Sequence, residues 1–249
     1  MDIPNPVFPT AILFCRVGGC LMTAPGFSSE RVPVQFRLYL ALAVTLVLAP
    51  AFLEAFNGAF AAAQPYRLIT AIFGELLIGV SLGLLARFYF FALETLATSV
   101  AMTTGLGNVF GAVVTEEEPT TTFSAFVTLA ALALIFATDL HLEIIRAISL
   151  SYETAPVFAD PRIDALMEEI ARVLTQSHLL ALRICSPFLL FGLVVNVALG
   201  VLARLTPQLQ IFFVSGPLVI FLGLSAFFAL GWDFFAAFVS AFGAWLQKG

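Results

Sequence analysis

The sequence is short of charge of either sign and almost without lysine. Of its 249 residues 11% are charged, and Lys248 is the single lysine. An ordinary soluble domain carries about 25% charged residues, so a soluble globular fold is excluded: its exterior would need far more polar surface. The formal net charge is −5. No basic surface is available to neutralise phosphates, which argues against a nucleic-acid partner. Cysteine and histidine are just as scarce. Cys15, Cys20 and Cys185 lie inside apolar runs at no metal-ligand spacing and behave as small core hydrophobes. His141 and His178 have no serine or cysteine at motif spacing. In Asp139-Leu-His-Leu-Glu143 the two-residue steps place the polar groups about 200° apart on a helix, so they do not converge on one metal. No nucleophile elbow, zinc-protease helix, Walker loop or dinucleotide fingerprint occurs. The expectation is a protein with no catalytic site, no cofactor and no metal.

What the chain has instead is apolar length. It is 61% hydrophobic with 27 phenylalanines, and its mean hydropathy is +1.03. About 20 apolar residues cross roughly 30 Å of hydrocarbon as a helix. That criterion predicts spans near 6–25, 36–56, 68–92, 123–147, 178–203 and 208–231, with 94–114 as a seventh candidate and 232–246 as a short apolar tail. The fold class is therefore all-α and membrane-associated, with six helices, or seven, broken by glycine and proline. The N-terminus has no basic stretch before its first apolar run, so that run is expected to stay as a helix. Loop arginines divide almost evenly between the two sides and set no orientation.

Pro50, Pro187 and Pro217 fall inside these spans. Each removes a backbone donor that lipid cannot replace, which favours packing against protein. Gly79 and Gly83, and Gly192, Asn196 and Gly200, recur at four-residue spacing and offer smooth faces for close helix approach. Arg16, Glu75, Arg87, Glu94 and Asp139 are the intramembrane ionisable residues of interest, and Glu143 and Arg146 stand at i,i+3. Such groups either line a path for ions or substrates, or form ion pairs within the bundle or at span ends. Two polar loops remain. One, 113–122, carries Glu116, Glu117 and Glu118 and reads as a wet turn; the other, 149–177, holds an amphipathic helix after Asp160-Pro161.

The most specific segment runs Asn196-Val-Ala-Leu-Gly-Val-Leu-Ala-Arg-Leu-Thr-Pro-Gln-Leu-Gln-Ile-Phe-Phe-Val-Ser-Gly-Pro217. It forms two apolar helices joined at a tip of Arg204, Pro207, Gln208 and Gln210, a C-terminal helical hairpin. This segment resembles the signature of the FliR family, the R subunit of the flagellar type III export gate. Arg16, Ala24-Pro25, Ser29-Glu-Arg-Val-Pro33 and Arg37 are similar to the family's opening, and Glu75-Leu-Leu-Ile-Gly79 with Gly83 is a third match. The resemblance runs almost end to end and is loosest over 102–122.

What the resemblance implies is a non-enzymatic pore or gate subunit carrying unfolded flagellar proteins across the bacterial inner membrane. It implies a multi-pass protein of the flagellar basal body. Its partners would be P- and Q-type gate subunits, with B-type and A-type export membrane proteins around them. It further implies a P-subunit-like region at 1–160 and an amphipathic helix with a Q-subunit-like hairpin at 161–249. The pore plug would fall on Gly105, Leu106, Gly107, Asn108, Val109, Phe110 and Gly111, and Arg204, Pro207, Gln208 and Gln210 would dock neighbouring subunits. Glycine-rich backbone can re-orient, and Leu106, Val109 and Phe110 can exclude water; a plain re-entrant turn remains the alternative from the residues alone. Two other functions stay open at this point: the homologous subunit of a virulence injectisome, and a secondary transporter using Glu75, Arg87 or Asp139 as coupling groups.

Overall fold

The computed structural model describes residues 7–28, 32–60, 65–107, 121–158, 163–205 and 211–247. Among them are seven helices: α1 (Val7–Thr23), α2 (Val34–Phe60), α3 (Pro65–Thr103), α4 (Thr122–Ala137), α5 (Leu140–Thr154), α6 (Ile163–Leu205) and α7 (Ile211–Leu246). The helix number and the all-α class agree with the sequence reading, but the boundaries regroup. No glycine or proline interrupts 84–103, so the span expected at 68–92 runs on through the start of the 94–114 candidate as one helix. It stops where Gly105 takes a φ of +74°. The amphipathic helix of the 160s likewise continues without a break into the 178–203 span as α6, and the apolar tail is the second half of α7.

The expected 123–147 span is broken instead. Asp139 stands between α4 and α5 with φ 58°, a left-handed conformation that a short polar side chain tolerates. At the other end of α4, Thr121 caps the helix by accepting from the Ser124 backbone N–H at 3.1 Å. Among the described residues four helices are long and apolar enough to cross a membrane, or five when α4 and α5 count as one broken span. α1, with 17 residues, falls short of that length. Pro50, Pro187 and Pro217 all sit inside helices. Pro187 shows how one is accommodated: the Arg183 carbonyl that its missing N–H abandons accepts from Ser186 Oγ at 2.8 Å.

The chain forms two compact units, each assembled from separate stretches. One comprises Met1–Phe88, Asp139–Leu174 and Trp245–Gly249; the other comprises Tyr89–Thr138 and Thr175–Ala244. In the first, α1 packs on α2 and on the first part of α3. A Cβ on Gly19 would stand 3.0 Å from the Val80 nitrogen, and one on Gly79 would collide with the backbone of Arg16. A Cβ on Gly83 would collide with Thr23. Three glycines thus let two backbones touch, the close approach foreseen for Gly79 and Gly83.

The second unit has an aromatic core. Phe90 meets Phe238 edge-on at 5.5 Å, Phe123 meets Phe227 at 5.1 Å, and Phe188 meets Phe234 at 5.9 Å. Phe188 on α6 and Phe227 on α7 are about equally far from the helix ends that face each other in sequence, so their contact makes α6 and α7 an antiparallel hairpin. Such edge-to-face pairs each contribute about 0.5–1.5 kcal/mol beyond area burial.

The glycine contacts yield a paired expectation. Gly79→Ala should destabilise the protein by about 1–3 kcal/mol, because backbone must shift to admit the methyl. Gly74→Ala meets nothing within 4 Å and should be neutral or stabilising by up to about 1 kcal/mol. Thermal unfolding in mild detergent separates the two; equal effects would mean the α1–α3 approach is not tight.

Candidate functional site

Two constellations stand out, one in each unit. The first centres on Arg16, whose side chain is fully buried on the apolar helix α1. A guanidinium cannot shed its proton, so in such a place it must find acceptors. It finds Glu75 on α3: Arg16 Nε donates to Oε2 at 2.6 Å and Nη2 to Oε1 at 2.8 Å, a bidentate pair. Nη1 donates to Ser151 Oγ at 2.9 Å and Nη2 also to the Ala155 carbonyl at 2.8 Å, both from the α5 end. Tyr152 completes the set. Its hydroxyl donates to Glu75 Oε2 at 3.0 Å, and its ring lies 3.7 Å from Arg16 Cζ, a cation–π contact. The Tyr152 ring is backed in turn by Phe52 of α2 at 4.8 Å.

Four helices therefore converge on one ion pair. The charges cancel and most of the guanidinium's five N–H groups are committed. The arrangement holds helices in register and has few donors left to offer a passing substrate. Arg16 and Glu75 were visible in the sequence as lone charges in apolar runs. Ser151 and Tyr152 were missed, because a serine and a tyrosine at a helix end carry no signal until the helix is placed. Among the other ionisable candidates, Arg87 and Asp139 are exposed and Glu94 is half-buried. Arg146 pairs with Glu143 at 3.6 Å as the i,i+3 spacing suggested.

The second constellation is the turn that ends α3. Thr104 and Leu106 are buried, at 1% and 2% exposure. Gly107 N–H donates back to the Ala101 carbonyl at 2.9 Å. From α6, Asn196 Nδ2 donates to the Thr103 carbonyl at 3.0 Å and to its own helix at Gly192 at 2.7 Å. A Cβ on Gly192 would lie 2.8 Å from Thr103 Cβ, and one on Gly223 of α7 would lie 3.2 Å from Thr104 Cβ. Of the expected plug, Gly105, Leu106 and Gly107 belong to this seated turn; Asn108, Val109, Phe110 and Gly111 lie outside the described residues. At the hairpin tip Arg204 is exposed in the last turn of α6, and Pro207, Gln208 and Gln210 lie outside the described residues. Asn196, Thr103 and Gly223 were not singled out as a group, although Asn196 stands in the signature segment. Among the described residues no three His, Cys, Asp or Glu side chains gather to hold a metal ion.

The family described as "Bacterial export proteins, family 1" matches residues 7–244. The chain belongs to that family. Among its relatives is the flagellar biosynthetic protein FliR of Caulobacter vibrioides, 33% identical over 88% of this chain and 86% of that protein. FliR of Pectobacterium carotovorum is 29% identical over 85% of this chain and 79% of its own, and FliR of Escherichia coli K12 is 26% identical over 86% and 81%. The FliR-family match thus takes in both constellations, the Arg16 cluster and the seated turn. With four or five span-length apolar helices, this FliR-family chain is a multi-pass membrane protein of flagellar protein export.

The Arg16 cluster gives a second expectation. Arg16→Met alone leaves a buried carboxylate without its partner and should cost about 3–5 kcal/mol, enough to remove most folded protein. Adding Glu75→Met should restore much of the loss, because the desolvated pair is then replaced by apolar volume. Yield of monodisperse protein in detergent reads this out; a double variant no better than the single would show that the cluster does more than neutralise charge.

Proposed function

We propose that the chain is the non-enzymatic R-type pore subunit of the flagellar export gate, passing unfolded flagellar proteins across the bacterial inner membrane at the basal body. The observation that carries this reading is a family match that runs nearly end to end, joined to helices that keep much of their apolar surface uncovered. Phe228 and Trp232 of α7 are 92% and 81% exposed one helical turn apart. On α6, Leu190, Leu193, Val194, Val197 and Val201 are also exposed. Patches of this extent mark contact with membrane or partner protein. P- and Q-type subunits suit these faces, with B-type and A-type export proteins beyond them.

In this reading residues 1–160 are the P-like region and 161–249 carry the Q-like hairpin, whose tip at Arg204, Pro207, Gln208 and Gln210 docks a neighbour. Glutamine amides donate and accept together, which suits bridging between like hairpins. The stretch Gly105–Gly111 is the pore plug. The three relatives described above are flagellar biosynthetic proteins, which favours flagellar clients over those of an injectisome.

Purification of tagged protein from native membranes in mild detergent, with mass spectrometry of what remains bound, tests the assembly. Recovery of P- and Q-type subunits supports the proposal, and a clean monomer overturns it. Phe228→Ala with Trp232→Ala should reduce that recovery roughly tenfold or more, in line with loss of aromatic anchors, while the chain still inserts. Loss of motility with unchanged small-solute uptake in a deletion strain would set the transporter reading aside.

A further inference from the structure

Helix α7 carries a single charge in 36 residues, Asp233, and about 20 Å of helix still follow it. The carboxylate is exposed, and among the described residues no ion pair or hydrogen bond holds it. A charge on the outer face of an apolar helix is costly in hydrocarbon unless a cation answers it. The surface around Asp233 is also shaped. At about 100° per residue, Ser225, Ala229, Ala236 and Ser240 fall on one strip of α7. Phe228 and Trp232 run along one side of that strip and Asp233 stands on the other, and all of these residues are exposed. The result is a floor of small side chains between an aromatic wall and a carboxylate. Its two hydroxyls donate to their own helix, Ser225 to the Leu222 carbonyl at 2.8 Å and Ser240 to the Ala237 carbonyl at 3.0 Å, so neither serves the carboxylate.

Lipid tails need no such floor, whereas small side chains let the backbone of a second helix come close. A helix lying there displaces water from Asp233, and only a cation then balances the carboxylate. The first unit shows the same chemistry complete: Glu75 pairs with Arg16 where Gly79, one turn along from Glu75, lets two helices touch. On an open face, α7 presents the carboxylate and the smooth approach of that arrangement. We propose that this face seats an apolar helix of a neighbouring gate subunit bearing an arginine or lysine, and that Asp233 pairs with that cation. The inference rests on the R-type subunit reading above and adds to it the chemistry by which one partner is recognised. Phe228 and Trp232 supply contact area, and Asp233 supplies choice: a helix with leucine at that level leaves the carboxylate desolvated and unpaired, and is rejected.

The test uses the full tagged chain in native membranes. Asp233→Asn keeps the size and removes the charge, Asp233→Lys reverses it, and Ala236→Leu fills the floor with the charge untouched. Subunits recovered by pull-down are quantified per inserted chain, beside motility. Expected is a loss of about tenfold or more in one type of subunit for Asp233→Asn, because the partner's cation is left desolvated and unpaired. Asp233→Lys should lose that subunit almost completely, and Ala236→Leu should weaken its recovery too. Motile revertants of Asp233→Lys should carry a basic-to-acidic change in an apolar helix of the same subunit. If the unaltered chain recovers no subunits, the R-type reading falls and takes this proposal with it. If the unaltered chain recovers them and Asp233→Asn does so equally, the carboxylate faces headgroups or water and this proposal alone falls. A drop in inserted chain with recovery per chain unchanged would mean that the charge serves folding, and would overturn it as well. So would a result in which Arg183→Gln, on the exposed Arg183 of α6, matches the loss of Asp233→Asn and the two together do no more, since the cation then lies in the same chain.

Discussion

A guanidinium in an apolar helix has to be answered by a carboxylate, and around Arg16 that requirement organises one whole unit. The pair with Glu75 ties α1 to α3, and the remaining donors reach α5. Tyr152 stacks on the guanidinium and bonds the carboxylate at once, so the same residue satisfies both partners. The fit works only because Gly79 and Gly83 let α1 approach α3 to backbone contact. Charge sets which helices meet, and absent side chains set how closely. Neither would serve alone: a close approach without the pair would slide, and the pair without the approach would leave both charges short of contact.

The other unit is held by a different kind of force. Its rings interlock through edge-to-face contacts among Phe90, Phe123, Phe188, Phe227, Phe234 and Phe238, which depend on shape more than on charge. Around that core the outer faces of α6 and α7 remain apolar and open. Lipid tails are as apolar as leucine, so packing and not water exclusion has to select a neighbour there. In the proposed assembly, a surface of leucine, valine and large aromatics at helical spacing would provide that selection through fit.

Much of this was legible in the sequence, and the gaps have physical causes. The helical class follows from apolar length alone, and Arg16 and Glu75 stood out as lone charges in apolar runs, with a substrate path and an ion pair both left open. Helix boundaries were harder. Hydropathy falls at Arg87 and Glu94 and again between 163 and 178, yet helix geometry continues through both because no glycine or proline there breaks it. The reverse holds at Asp139, where an ordinary acidic residue adopts a left-handed backbone that no composition rule marks. The seated turn was half visible: Gly105 and Gly107 stood out, whereas their bed of Gly192, Asn196 and Gly223 lies about 90 residues or more further along the chain. Spacing rules describe neighbours on one helix and say nothing of partners brought together by the fold.

The interleaving of the two units has a consequence for biosynthesis. Phe90 is translated well before Phe238, the ring it meets. At about 5–20 residues per second, the ring waits roughly 7–30 s for its partner. Over that time the second half of α3 is already made and has no core of its own to enter. Until α7 arrives, lipid can cover those phenylalanines, but their edge-to-face partners are absent. The order of synthesis thus runs against the order of packing, and truncation near the C-terminus should be felt most in a helix completed long before.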